Sequence, residues 1–150
     1  MIRLPPGSAV TPETAGWRHL SFQTVVLRAE PIEIGDPRCE VAVVTLVGGV
    51  ALDFDGRRME LPGRASVWDG LPWAAYLPAG SSVAASSVGS EAVVALASAP
   101  RSGREGASRE VVAIGPDDVR VEVRGAGNAT RQINHIITPD FPADRLEVVE

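Results

Sequence analysis

Apolar positions fill residues 41–47, VAVVTLV, with Thr45 the one polar side chain inside the run. A segment apolar at successive positions suits a strand buried on both faces. Gly48-Gly49 breaks the run, and residues 50–54 then alternate around Asp53. Asp55-Gly56 is a strong hairpin signal, because glycine, and aspartate more than most residues, tolerates positive φ. Residues 57–61 are the return strand, ended by Pro62-Gly63. Further short strands are predicted at 65–68, before Asp69-Gly70, and at 74–77, before Pro78-Ala79-Gly80. Upstream, Leu20, Phe22, Thr24 and Val26 alternate with Ser21, Gln23 and Val25, a strand pattern within 17–30. Residues 32–34 form a short strand that ends at the turn Gly35-Asp36-Pro37. Residues 1–13 have no period and read as an extended arm.

Downstream, residues 82–87 are small and polar, suited to an outer strand, and 92–97 are apolar again. PRSGREGAS at 100–108 reads as a polar, glycine-rich loop. Strands are predicted at 111–114, 119–123, 132–137 and 146–149, with turns or loops at 115–118, 124–131 and 139–142. Only 15–20 and 116–119 offer even a single helical turn. The expected core is residues 41–46, Val67, Leu77, residues 93–96 and Val121. Many short strands punctuated by Gly and Pro argue an all-β domain, a jelly-roll barrel or small sandwich.

Composition narrows the function classes. A chain of 150 residues that is 45% hydrophobic supports one packed domain, with room for an extension. A net charge of −5 argues against nucleic acid or an anionic membrane as partner. All cationic side chains are Arg, which excludes Schiff-base lysine chemistry. Cys39 is the single cysteine, so no internal disulfide forms and a reducing, cytoplasmic setting is expected. The N-terminus has no apolar h-region of a secretory signal. Apolar stretches are broken well before the ~18 residues of a membrane helix. The sequon Asn128-Ala129-Thr130 therefore has no glycosylating compartment to act in.

Individual candidates mostly read as structural. His19, beside Trp17 and Arg18, suits a barrel rim. His135 alternates with Ile133 and Ile137 and reads as a satisfied core or interface residue. Trp68, Trp73 and Tyr76 flank Asp69-Gly70; they fit packing better than a sugar-stacking barrel mouth. Ser66 and Ser98 have no His and Asp in a triad arrangement. Arg124-Gly125-Ala126-Gly127 lacks the strand-to-helix context of a phosphate loop. Asp53 and Asp55 are hairpin residues first, and Cys39 reads as an inert buried thiol. No catalytic residue and no metal ligand is assigned in this chain.

The order Glu40, Gly48, Asp55-Gly56 hairpin and Pro78-Ala79-Gly80 resembles that of cupins. Metal-binding cupins carry two His before that Glu and a third shortly after the Pro-x-Gly. Here Asp36 and Arg38 precede Glu40 and Val83 takes the third place, so this barrel is expected to be metal-free. Several stretches resemble the 5-deoxy-glucuronate isomerase family of inositol catabolism, related to 5-keto-4-deoxyuronate isomerases. They are GWRHLSF at 16–22, GRASVWDG at 63–70, YLPAG at 76–80 and, most specifically, VRVEVRGAGNATRQINHIITPDFPADRLEVVE at 119–150.

That resemblance implies a bicupin of two fused barrels and a small sugar-acid substrate. It implies aldose–ketose isomerisation of 5-deoxy-glucuronate to 5-dehydro-2-deoxy-gluconate. It also implies a divalent metal, zinc, held by His and Glu in the second barrel, whose His-x-His motif follows the stretch ending here at Glu150. The chain is then expected to hold a metal-free cupin-like barrel with an N-terminal arm (1–118) and a linker with the opening strands of a truncated second half (119–150). By itself it is expected to be inactive. The alternative is a non-catalytic cupin module for assembly or small-ligand binding. Because 119–150 is apolar and strand-forming with no following partner strand, it is expected to pair with a second copy as a homodimer rather than fold back, placing Asn134 and His135 near the interface.

Overall fold

A computed structural model describes Gly7 and residues 9–150. Its strands are β1 (Ala9–Val10), β2 (Ser21–Leu27), β3 (Ile32–Gly35), β4 (Cys39–Phe54), β5 (Arg57–Arg64), β6 (Ala74–Leu77), β7 (Ser82–Pro100), β8 (Val112–Ile114), β9 (Arg120–Arg124), β10 (Arg131–Ile137) and β11 (Val148–Val149). All recorded pairings are antiparallel. The fold is mostly β, as the short punctuated strands imply. Among the described residues no helix is long and apolar enough to cross a membrane.

Two long strands organise the sheet. β4 and β7 pair along most of their length and each serves two layers. The first half of β4 pairs with β6, and its second half pairs with β5. The first half of β7 pairs with β3, and its second half pairs with β2. Gly48-Gly49 therefore does not end a strand; it bends one. The ladder slips between Thr45 and Val47 and again between Val47 and Gly49, the signature of β-bulges that turn a corner. Gly48 takes φ +74°, and β5 crosses so closely that a Cβ on Gly63 would lie 1.8 Å from the Gly48 carbonyl oxygen. Local reading saw a break because glycine interrupts the apolar run, whereas the pairing continues through it. Residues 82–87 and 92–97 are joined into β7 in the same way.

Alternation sorts the side chains onto two faces. Val41, Val43, Val50, Leu52, Leu61, Leu77, Val83, Val94 and Leu96 point into the space between the layers and form the inner core. Ala42, Val44, Ala74, Tyr76, Ala95 and Ala99 point the other way. They are covered by Ile114, Val119, Ile136, Ile137, Ala143 and Leu146, so both faces of this layer are dry. This explains why residues 41–44 are apolar without alternation. Thr45 is fully buried, yet its hydroxyl is satisfied by the Trp73 main chain, 3.0 Å to the carbonyl and 3.2 Å from the N–H.

Several expectations need correction. Residues 65–68 are a turn, not a strand: Ser66 Oγ donates to the Asp69 carboxylate at 2.7 Å and accepts from the Trp68 N–H at 3.2 Å. Such local side-chain bonds compete with a ladder. Val67 consequently leaves the core, and Val121 is likewise exposed, on β9. A helical turn forms at α1 (Pro12–Ala15) rather than at 15–20, because Thr11 and Thr14 cap each other's backbone with Pro at the first position. The other expected helical turn, at 116–119, is present as a 3-10 turn at Pro116–Asp118. Residues 119–150 build a three-stranded sheet, β11-β10-β9, part of which packs on the outer face of their own barrel.

Candidate functional site

One candidate site lies among β2, β3, β4 and β7. A cavity of about 280 Å³ lies there, bounded by Ser21, Gln23, Val25, Ile34, Val41, Leu96 and Ser98, with Thr11, Glu33 and Asp36 near its rim. Ser21, Gln23 and Ser98 are its polar groups in phase with the inward Val25 and Leu96. Asp36 is occupied as a turn residue, accepting the N–H groups of Arg38 at 2.6 Å and Cys39 at 3.0 Å. Val83 is fully buried in the inner core.

Glu40 does not enter this cavity. It precedes Val41 on β4, so alternation sends it to the outer face, beside Tyr76. Its side chain is completely buried. Its carboxylate accepts the Tyr76 hydroxyl at 2.7 Å and the N–H groups of Asp144, Arg145 and Leu146 at 2.8, 2.6 and 2.7 Å. Four donors around one carboxylate satisfy a buried charge. Burial, and then the bond to Glu40, push the Tyr76 hydroxyl well above its ordinary range. Phe141 meets the Tyr76 ring edge-on at 5.4 Å. The glutamate that occupies the cupin-like position therefore fastens the C-terminal segment to the barrel.

A second buried charge does the same at the end of β5. Arg64, only 2% exposed at its side chain, pairs with the Glu150 carboxylate and donates to the carbonyl of Gly70 at 2.9 Å. Asn134 completes the cluster, donating to Glu150 at 3.0 Å. Beside it runs a groove walled by Leu46, Val67, Trp68, Leu71 and Val121, with Trp68 90% exposed. Neither the buried glutamate nor the buried arginine was singled out as an anchor from sequence. For Glu40 the available signal is a charge at the start of the apolar run 41–47, whereas Arg64 follows Pro62-Gly63 and carries none.

The remaining candidates are dispersed. His135 bonds Glu122 across β9 and β10 at 3.0 Å, a satisfied side chain. His19 is exposed. Trp73 and Tyr76 pack in the protein as expected, whereas Trp68 does not. Cys39 is half-buried, and burial raises its thiol. Asp53 pairs with Arg58 at 2.9 Å in the exposed hairpin, where Asp55 takes φ 49°. Residues 124–127 enter a short connection between β9 and β10, and Arg124 pairs with Glu122. Ser66 is a turn residue, and Ser98 lies on β7 at the cavity.

Comparison with known proteins places this arrangement. The chain matches the KduI/IolB family over residues 6–150. It belongs to that family. Two similar curated relatives are 5-deoxy-glucuronate isomerases. That of Geobacillus kaustophilus is 33% identical over 94% of this chain and 50% of its own length. That of Geobacillus thermodenitrificans is 32% identical over 94% of this chain and 51% of its own. The chain thus spans about half the length of the curated relatives it matches. An IolB-like protein from Salmonella typhimurium LT2 superposes with a TM-score of 0.85 at 26% identity, over 97% of this chain and 56% of that one. A cupin protein from Bacteroides fragilis shares the fold, with a TM-score of 0.52 at 14% identity over 72% of this chain and 89% of that one.

The cupin relationship raises the question of a metal. Among the described residues no three His, Cys, Asp or Glu side chains converge. The side chains lining the cavity are amide, hydroxyl and apolar, apart from Glu33, bonded to Ser82, and Asp36, held in its turn, and the one glutamate in the cupin-like order is turned outward and consumed by four donors. Two carboxylates already engaged, with no imidazole or thiolate beside them, do not fit a divalent transition metal.

Proposed function

We propose that this chain is the N-terminal, non-catalytic barrel of a 5-deoxy-glucuronate isomerase of inositol catabolism, a cytoplasmic enzyme acting on a small sugar acid. The observation that carries the reading is 33% identity over 94% of the chain to an isomerase of that name, twice as long. In this reading residues 1–118 are the first barrel, and 119–150 open a second one. The divalent metal and the aldose–ketose chemistry belong to that second barrel. The outward Glu40 supports this assignment, since the side chain that could have served a metal serves a joint instead.

The test is an assay of the purified chain with 5-deoxy-glucuronate, with and without added Zn²⁺ or Mn²⁺. No formation of 5-dehydro-2-deoxy-gluconate is expected, and elemental analysis is expected to find no stoichiometric metal. Turnover by this polypeptide, free of longer enzyme, removes the division of labour. We also propose that the chain forms a homodimer through 119–150, on the observation that β9 is a sheet edge carrying exposed Val121 and Val123.

A further inference from the structure

The connection between β7 and β8, residues 101–111, is polar and glycine-rich, yet it is held down at several points. The Asp144 carboxylate accepts the hydroxyl and N–H of Ser102 and the N–H groups of Gly103 and Arg104, the last two at 3.0 Å each. Arg101 N–H donates to the Arg38 carbonyl at 2.9 Å, and Ser108 N–H to the Pro142 carbonyl at 2.6 Å. The loop therefore stands as a fixed wall. Facing it is the turn from β6 to β7, Pro78 to Ser81, and between them lies a cleft of about 500 Å³. That volume is in the range of small-molecule sites.

The charge inside this cleft opposes that of the whole protein. Arg101, Arg104 and Arg109 all line it, against the single carboxylate of Asp144. Asp144 is engaged by the loop backbone and Ser102. Although burial works against its ionised form, the bonds from Ser102, Gly103 and Arg104 hold its carboxyl down to about 2. No described carboxylate forms an ion pair with any of the three arginines. Guanidinium groups so placed recognise carboxylate or phosphate oxygens through paired N–H donors. A positive cleft also concentrates anions, even in a protein of net charge −5.

We propose that this cleft binds a small organic anion, its carboxylate or phosphate held by the guanidinium groups of Arg101 and Arg109 against the Pro78 to Ser81 turn. Arg104 is left to the wall, since it also donates to the Ala143 carbonyl at 3.1 Å. The proposal does not depend on the isomerase reading, because it uses no catalytic group.

The test is calorimetric titration of the intact chain with glucuronate, with inorganic phosphate and with neutral glucose. Saturable binding of at least one anion, weakened by added salt and absent for glucose, is expected; which anion binds identifies a carboxylate or a phosphate as the recognised group. The double variant Arg101→Ala/Arg109→Ala should bind about tenfold or more weakly, with thermal melting unchanged because the loop's main-chain anchors remain. Arg101→Lys/Arg109→Lys keeps the charge, loses the fork and should fall between. If neither anion saturates, or if the alanine variant binds as well as the parent, the cleft is not such a site.

Discussion

Glu40 illustrates how one side chain's orientation decides its role. A carboxylate out of water is tolerated only when its oxygens are satisfied, and here four donors do so. Glu40→Gln keeps the volume but removes the charge and points an amide N–H₂ at backbone donors. A loss of about 3 kcal/mol is expected. Tyr76→Phe removes one of the four bonds and should cost about 1–2 kcal/mol. Urea denaturation of both variants checks the order. Equal, small losses would mean that the carboxylate does not hold residues 144–146 to the barrel. From sequence Glu40 was visible as the cupin-like glutamate. Its direction was not, because inward and outward differ by a single step of strand phase, and residues 41–44 are apolar on both sides and mark neither.

At the scale of elements, the corner between the layers rests on glycine for two separable reasons. Gly63 and Gly56 share a left-handed backbone, φ +72° and +70°. A Cβ at Gly56 meets nothing within 4 Å, whereas one at Gly63 meets the Gly48 carbonyl at 1.8 Å. Gly56→Ala should therefore cost only the backbone term, about 1 kcal/mol, and Gly63→Ala at least about 2 kcal/mol more. Similar losses in chemical denaturation would show that the close crossing of β4 and β5 is not needed. The hairpin at Asp55-Gly56 and the strand at residues 74–77 were legible because their signals are local. The bend at Gly48 was not, because a bulged ladder and a broken one look alike until the partner strand is seen. Residues 65–68 misled in the opposite sense: Val67 and Trp68 have strand propensity, but Ser66 and Asp69 close a turn around them.

At the scale of the molecule, residues 119–150 present two surfaces. One, through Val119, Ile136, Ile137 and Leu146, is buried on the chain's own barrel. The other leaves Val121 44%, Val123 65% and Val149 58% exposed, and β9 closes its sheet with an edge. Such an edge is a template for another strand. A second copy is the proposed occupant, and Val121 also borders the groove beneath the exposed Trp68, so pairing there would carry the contact toward the indole. Deleting the segment is a poor test, since it would strip the cover from Ala42, Val44, Ala74 and Tyr76 as well. Val123→Glu is cleaner, because it charges the face at its most exposed valine. Sedimentation should find the parent chain dimeric and Val123→Glu monomeric, with unchanged thermal stability of the subunit measured at low concentration, and with Trp68 emission shifted to the red. A parent chain that stays monomeric at high concentration removes the dimer and leaves the segment fastened to its own barrel through Glu40 and Arg64.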